Sequence, residues 1–114
     1  MNAETFLLPL LKGNFIALSA EEIKYIRSDG PVVYIIDNQD QQLAGGQSLK
    51  FYSELLAEAS FFQVSQSILV NLQKVRYIDV INQEIELICG KRITMSRNGL
   101  KNLKEFIKSK QYRL

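Results

Sequence analysis

Apolar residues recur at every second position through much of this chain, and the alternation is broken at short intervals by glycine, asparagine, aspartate and serine. The stretch Phe61–Leu72, FFQVSQSILVNL, predicts two strand pieces around a polar turn at Ser65, Gln66 and Ser67. Val64 on one side and Ile68, Val70 and Leu72 on the other alternate as a half-buried strand does, so the turn is held on a rigid base. Earlier in the chain Phe6, Leu8 and Leu10 alternate, Gly13-Asn14 supplies a turn, and Phe15 to Leu18 return, which predicts a hairpin. Ser19 followed by Ala-Glu-Glu predicts a single helical turn with acids at its N-terminal end, where the helix dipole favours them. A second hairpin is predicted from Ile23 to Arg27 and Val32 to Ile36, tipped by Ser28-Asp29-Gly30-Pro31; Gly30 tolerates positive φ, and Pro31 has no N–H for a ladder. Asp37 to Asp40 reads as a turn before a short strand ending at Gly45-Gly46.

Two stretches switch to helical spacing. Ser48 caps a predicted helix through about Ala59, with Leu49, Tyr52, Leu56 and Ala59 on its core face. Strand pieces follow at Arg76 to Ile81, Glu84 to Cys89 and Ile93 to Met95, separated by turns at Asn82-Gln83 and Gly90-Lys91. Ser96 then opens a last helix whose Leu100, Leu103 and Ile107 point inward while Lys101, Lys104 and Lys108 line another face. The expectation is one mainly β domain with two helices, without internal repeats or an interdomain linker.

A chain of 114 residues that is 46% hydrophobic and 23% charged can bury one core but not two. The net charge of +2 hides an asymmetry: residues 1–60 carry 4 Lys+Arg against 8 Asp+Glu, and residues 61–114 carry 10 against 4. The basic half is the half with the polar turn, which suits an anionic partner, although a lysine-rich solvated helix gives the same count. With no histidine, Ser-His-Asp and Cys-His nucleophilic arrangements are excluded and zinc lacks its commonest nitrogen ligand, so no metal or cofactor is expected. The lone Cys89 cannot form an internal disulfide, and its spacing from Ile85 and Leu87 predicts a packed, inert thiol. No phosphate-binding glycine loop is present, since Gly45-Gly46 is too little on its own. The longest apolar run near the start is broken by Pro9 and preceded by Glu4, so neither a leader nor a membrane span is expected, and the chain reads as cytoplasmic.

The start of the last helix runs against stability. A first turn carries unpaired N–H groups and a partial positive charge, so acids belong there; this one reads Arg97-Asn98-Gly99, and the glycine costs roughly 1 kcal/mol relative to alanine. An external phosphate meeting the free N–H groups, Ser96 and Arg97 would resolve the mismatch, with Gly99 allowing close approach. Arg97 paired with a neighbouring carboxylate, or simply hydrated, is the plain alternative. Ser65-Gln66-Ser67 can equally be an ordinary surface loop, yet a glutamine carboxamide pairs bidentately with adenine and a serine hydroxyl meets base edges or phosphate.

Three blocks in order, LSAEEIKYIRSDG, FFQVSQSILVNLQKVRYI and GKRITMSRNGLKNLKEFI, resemble the LytTR-type (LytR/AlgR family) DNA-binding domain of bacterial response regulators, over roughly residues 6–109. Residues 1–5 and 110–114 are then terminal extensions. The resemblance rests on Tyr25-Ile26 with Ser28-Asp29-Gly30, on Phe62 to Asn71, and on Ser96-Arg97 before the last helix. It implies an elongated fold of stacked small β-sheets that lays loops into successive major grooves on one side of a duplex. By position, it implies base or phosphate contacts from Ser65 and Gln66, from Arg97 and Asn98, and from the loop at Gly30-Pro31, with Ser48 and Lys50 as phosphate contacts at the first helix; Lys101 adds charge to the same end. It also implies paired direct repeats as target, a dimer on DNA, and a receiver domain or sensor kinase upstream.

One departure stands out. The family's usual His-Arg pair is Ser65-Gln66 here, so the guanine-reading arginine is missing. Either the target differs, with Gln66 favouring adenine, or specific binding has weakened. Two function classes follow: the output domain of a transcription regulator, or a protein-interaction module that keeps the fold without DNA binding. Enzymatic activity is not expected, because no nucleophile has a base and an orienting partner.

Overall fold

The computed structural model describes residues 4–114. The first predicted hairpin forms as β1 (Thr5–Pro9) and β2 (Phe15–Ser19), paired from Thr5↔Ser19 to Pro9↔Phe15. The helical turn after it, residues 20–22, carries a capping box in which Ser19 N donates to Glu22 Oε1 at 2.9 Å. Next come β3 (Ile23–Asp29), β4 (Val32–Asp37) and β5 (Gln42–Gly45), then α1 (Leu49–Leu55), then β6 (Phe61–Ser65) and β7 (Ile68–Asn71). The chain finishes with β8 (Val75–Asp79), β9 (Glu84–Leu87), β10 (Arg92–Thr94) and α2 (Arg97–Ser109).

The ten described strands form three antiparallel sheets, and the largest, in the order β5-β4-β3-β7-β6, lies between the other elements. One of its faces packs Ile26, Ile35 and Leu69 against the β1–β2 hairpin and against Leu49, Tyr52 and Leu56 of the α1 segment. The other packs Tyr25, Val64 and Val70 against Ile85, Leu87 and Ile93 of the β10-β9-β8 sheet and against Leu100 and Leu103 of α2. Each fully buried leucine or isoleucine contributes on the order of 1.5–3 kcal/mol. The mainly β architecture with two helices is thus one sandwich, 40 × 37 × 24 Å overall; where the chain length led to the expectation of a single core, the central sheet divides the apolar interior into two clusters, one on each of its faces. No described helix is long and apolar enough to cross a membrane.

Three local expectations change. β7 is not half-buried: Leu69, Val70 and Asn71 are all buried, because both faces of this inner strand are covered. α1 stops at Leu55 instead of running to Ala59; Leu56 leaves helical geometry, and Ser60 adopts a left-handed conformation, φ 68°, that turns the chain into β6. Cys89 is exposed, not packed. β9 ends at Leu87; Ile88 N still donates to the Lys74 carbonyl at 2.8 Å, but a turn closed by Gly90 N donating to the Leu87 carbonyl at 2.8 Å takes the chain out of strand alternation before Cys89 can enter the core.

Candidate nucleic-acid interface

Strand register places the candidate residues together. β3 and β6 run in one direction and β4 and β7 in the other, with Asp29↔Val32, Arg27↔Ile68 and Ser65↔Ile68 as the last pairs of their ladders. The Gly30-Pro31 tip and the Ser65–Ser67 turn therefore sit at the same end of the central sheet. They are joined directly, since Ser28 N donates to the Ser67 carbonyl at 2.8 Å. Val33↔Gly45 brings the end of β5, and with it Ser48 at the start of α1, to that end as well. Five strands at a spacing of about 4.8 Å make a row roughly 19 Å wide.

The turn is built from its own hydroxyls. Ser67 N donates to Ser65 Oγ at 3.2 Å, and the two hydroxyl oxygens lie 3.4 Å apart, so Ser65 shapes the loop and leaves Gln66 exposed at its tip. A register shift between Gln63 and Ser65 bends the end of β6.

The start of α2 is fixed to the same strand. Ser96 N donates to the Val64 carbonyl at 3.0 Å, and Ser96 Oγ accepts from Gly99 N at 2.9 Å as the N-cap. Gly99 is buried against β6: a Cβ there would lie 1.9 Å from Val64 O. The glycine that sequence reasoning reserved for an approaching phosphate is therefore used for the approach of helix to strand. Of the first N–H groups, Gly99's is capped by Ser96 and Leu100's bonds to the Ser96 carbonyl at 2.9 Å. Those of Arg97 and Asn98 make no hydrogen bond among the described residues.

Between turn and helix runs a shallow groove of about 270 Å³, walled on the strand side by Gln63, Ser65 and Gln66 and on the helix side by Ser96, Asn98, Gly99 and Asn102. Gln66 and Asn98, 32 positions apart in the chain, thus share one recess. Arg97 and Lys101 lie beside it, exposed, and neither forms an ion pair among the described residues. With Lys104 and Lys108 they follow i, i+4, i+7, i+11 spacing, a cationic stripe on the order of 16 Å long. Gln63 and Asn102 were not foreseen as site residues. Asn102 carried a signal, being one turn beyond Asn98 on the same helix face.

The other candidates stand apart from the groove. Ser48 Oγ accepts from Phe51 N at 3.1 Å, and Ser48 and Lys50 line a separate depression with Gln47 and Glu54. The Gly30-Pro31 tip is exposed, with Gly30 at φ 60°, and Arg27, on the β3 strand that leads to it, donates to Gln42 Oε1 at 2.8 Å and pairs with Asp29 at 3.6 Å. No cluster of three or more Cys, Asp or Glu suited to a metal occurs among the described residues.

Comparison with known proteins bears on the fold and the family. No curated protein sequence matches the chain. Among solved structures, a LytTr DNA-binding domain from Bacillus cereus, described as that of a methyl-accepting/DNA response regulator, is similar over 93% of this chain and 98% of its own, with a TM-score of 0.74 and 17% identity. That likeness is one of fold. The family model of the LytTr DNA-binding domain matches residues 13–108. That span includes both walls of the groove and the cationic stripe, and the chain belongs to the LytTR family of DNA-binding domains.

Proposed function

We propose that this domain binds double-stranded DNA sequence-specifically, with the Ser65–Ser67 turn and the start of α2 entering one major groove, as the output domain of a bacterial transcription regulator. The observation that carries the reading is the shared groove: uncharged hydrogen-bonding side chains converge in a recess beside cations that form no ion pair among the described residues. B-DNA has the complementary layout, base edges at the floor of a major groove about 12 Å wide and phosphates along its walls.

The division of labour follows from position. Gln66 and Asn98 read base edges. Arg97, with the free N–H groups of the first turn of α2, takes a phosphate, which supplies the negative charge that this helix start lacks. Lys101 extends the phosphate track, and Ser65 holds the turn while offering a hydroxyl to whatever meets it. Gly30-Pro31 approaches the backbone from the neighbouring tip, and Ser48 and Lys50 meet the phosphates of the next turn of the duplex. Paired direct repeats, a dimer formed on DNA, and control by a receiver domain or sensor kinase complete the proposal; the response-regulator description of the similar Bacillus cereus domain bears on the last of these alone. Arg97, without an ion pair among the described residues, and the uncharged groove favour DNA over a protein partner.

Selection from a randomised duplex library tests this. One enriched motif retained near physiological salt is expected. Binding without sequence preference that vanishes at that salt would defeat the proposal.

A further inference from the structure

The groove's hydrogen-bonding groups are not equivalent. Both of its serines are used internally: Ser65 Oγ accepts from Ser67 N at 3.2 Å, while Ser96 Oγ accepts from Gly99 N at 2.9 Å and lies 3.4 Å from the Val64 carbonyl. The side chains of Gln63, Gln66, Asn98 and Asn102 take part in no hydrogen bond among the described residues, and no charged side chain lines the recess. Four unengaged carboxamides thus face one space, one from β6, one from the turn that follows it and two from the helix.

A carboxamide offers one acceptor and a pair of donors on a single plane. Adenine presents an N6 donor beside an N7 acceptor in the major groove, which that pair satisfies bidentately, and the thymine O4 accepts from the same NH2 group. Guanine presents two acceptors, O6 and N7, and a carboxamide oxygen set against them is repelled where a guanidinium would bind. A recess lined by carboxamides and free of arginine therefore discriminates by chemistry, before any contact is optimised.

We infer that the groove selects a block of adjacent A·T pairs, and that Gln63 and Asn102 are specificity-determining residues beside Gln66 and Asn98. The inference rests on the DNA-binding reading above. Gln63 and Asn102 enlarge the readout from a single pair to a short run, because Gln63 stands three residues back along the chain from Gln66, on β6, and Asn102 one turn onward along α2 from Asn98.

Duplex selection with the wild-type domain, Gln63→Ala and Asn102→Ala tests it. The expected wild-type motif holds at least two neighbouring A·T pairs, and each variant loses about 5- to 100-fold of the discrimination against G·C at one of them. Asn102→Gln, which restores the carboxamide on a longer stem, is expected to recover a preference for A·T. Both positions are exposed, so thermal melts of the variants are expected to match the wild type. An enriched motif whose groove-protected pairs are G·C, or a motif unchanged in both alanine variants, would overturn the inference and leave sequence-specific binding standing. No enriched motif for any of the chains would overturn both.

Discussion

Gly99→Ala sets two effects of opposite sign against each other. Intrinsic helix propensity favours alanine by about 1 kcal/mol, so on a solvated helix this substitution stabilises. In this fold the added Cβ would lie 1.9 Å from Val64 O and 2.5 Å from Val64 C, both backbone atoms, and 3.0 Å from Ser96 Oγ. Reaching an ordinary contact of 3.4 Å requires the helix start and β6 to separate by roughly 1.5 Å. The Ser96 N to Val64 O hydrogen bond, at 3.0 Å, cannot survive that separation. Overpacking costs about 1–3 kcal/mol and the lost hydrogen bond about 1 kcal/mol. After the propensity gain, a net destabilisation of about 1–3 kcal/mol remains. Urea denaturation monitored by circular dichroism measures it, with Asn98→Ala, one position earlier and exposed, as the control that registers propensity without overlap. The same displacement widens the recess between Gln66 and Asn98, so the surviving folded protein is expected to lose sequence preference more than total DNA affinity. A Gly99→Ala domain as stable as the wild type, or more so, would refute the packing argument.

Other consequences are read in separate assays. Gln66→Ala is expected to relax preference at one base position by about 1–3 kcal/mol, whereas Lys101→Ala weakens all duplexes alike and lowers the salt slope by up to about one unit; equal effects on every duplex would contradict this division. Lys24 is buried and is held above its ordinary value of 10.5, first by its hydrogen bond to the Asp40 carboxylate and against the cost of burial. A pKa raised by folding contributes stability that is fully present below 10.5 and lost as pH rises through the folded value, so Asp40→Asn should lower both stability at neutral pH and the midpoint of alkaline unfolding. An unchanged alkaline midpoint would show that Asp40 is not the group responsible. Asn71, 1% exposed, donates to the carbonyls of Ala20 and Ile23 at 3.0 and 2.9 Å and accepts from Gln73 N at 3.0 Å; Asn71→Ala leaves these groups without partners and should cost about 2–4 kcal/mol in urea melts.

Much of this protein was legible because its chemistry is local. Period-two alternation and the turns at Gly13-Asn14, Gly30-Pro31 and Ser65–Ser67 marked the three hairpins, and serine before a helical pattern marked Ser48 and Ser96 as caps. Backbone conformation and capping depend on neighbours within a few residues, so the linear sequence determines them. Tertiary structure decided the rest. That β7 is covered on both faces depends on the β10-β9-β8 sheet and α2 packing opposite α1, which no alternation within β7 encodes. Cys89 continued a strand pattern, but the chain leaves strand geometry after Leu87 in a turn closed by Gly90 N on the Leu87 carbonyl. Gly99 showed the anomaly in sequence without its cause, since a glycine's missing Cβ says only that something comes close; the Val64 carbonyl, 35 residues earlier, is what does. The same docking brings Gln63 and Asn102 into one recess. Their relation exists only across the contact between strand and helix, a distance in space that no spacing along the chain expresses.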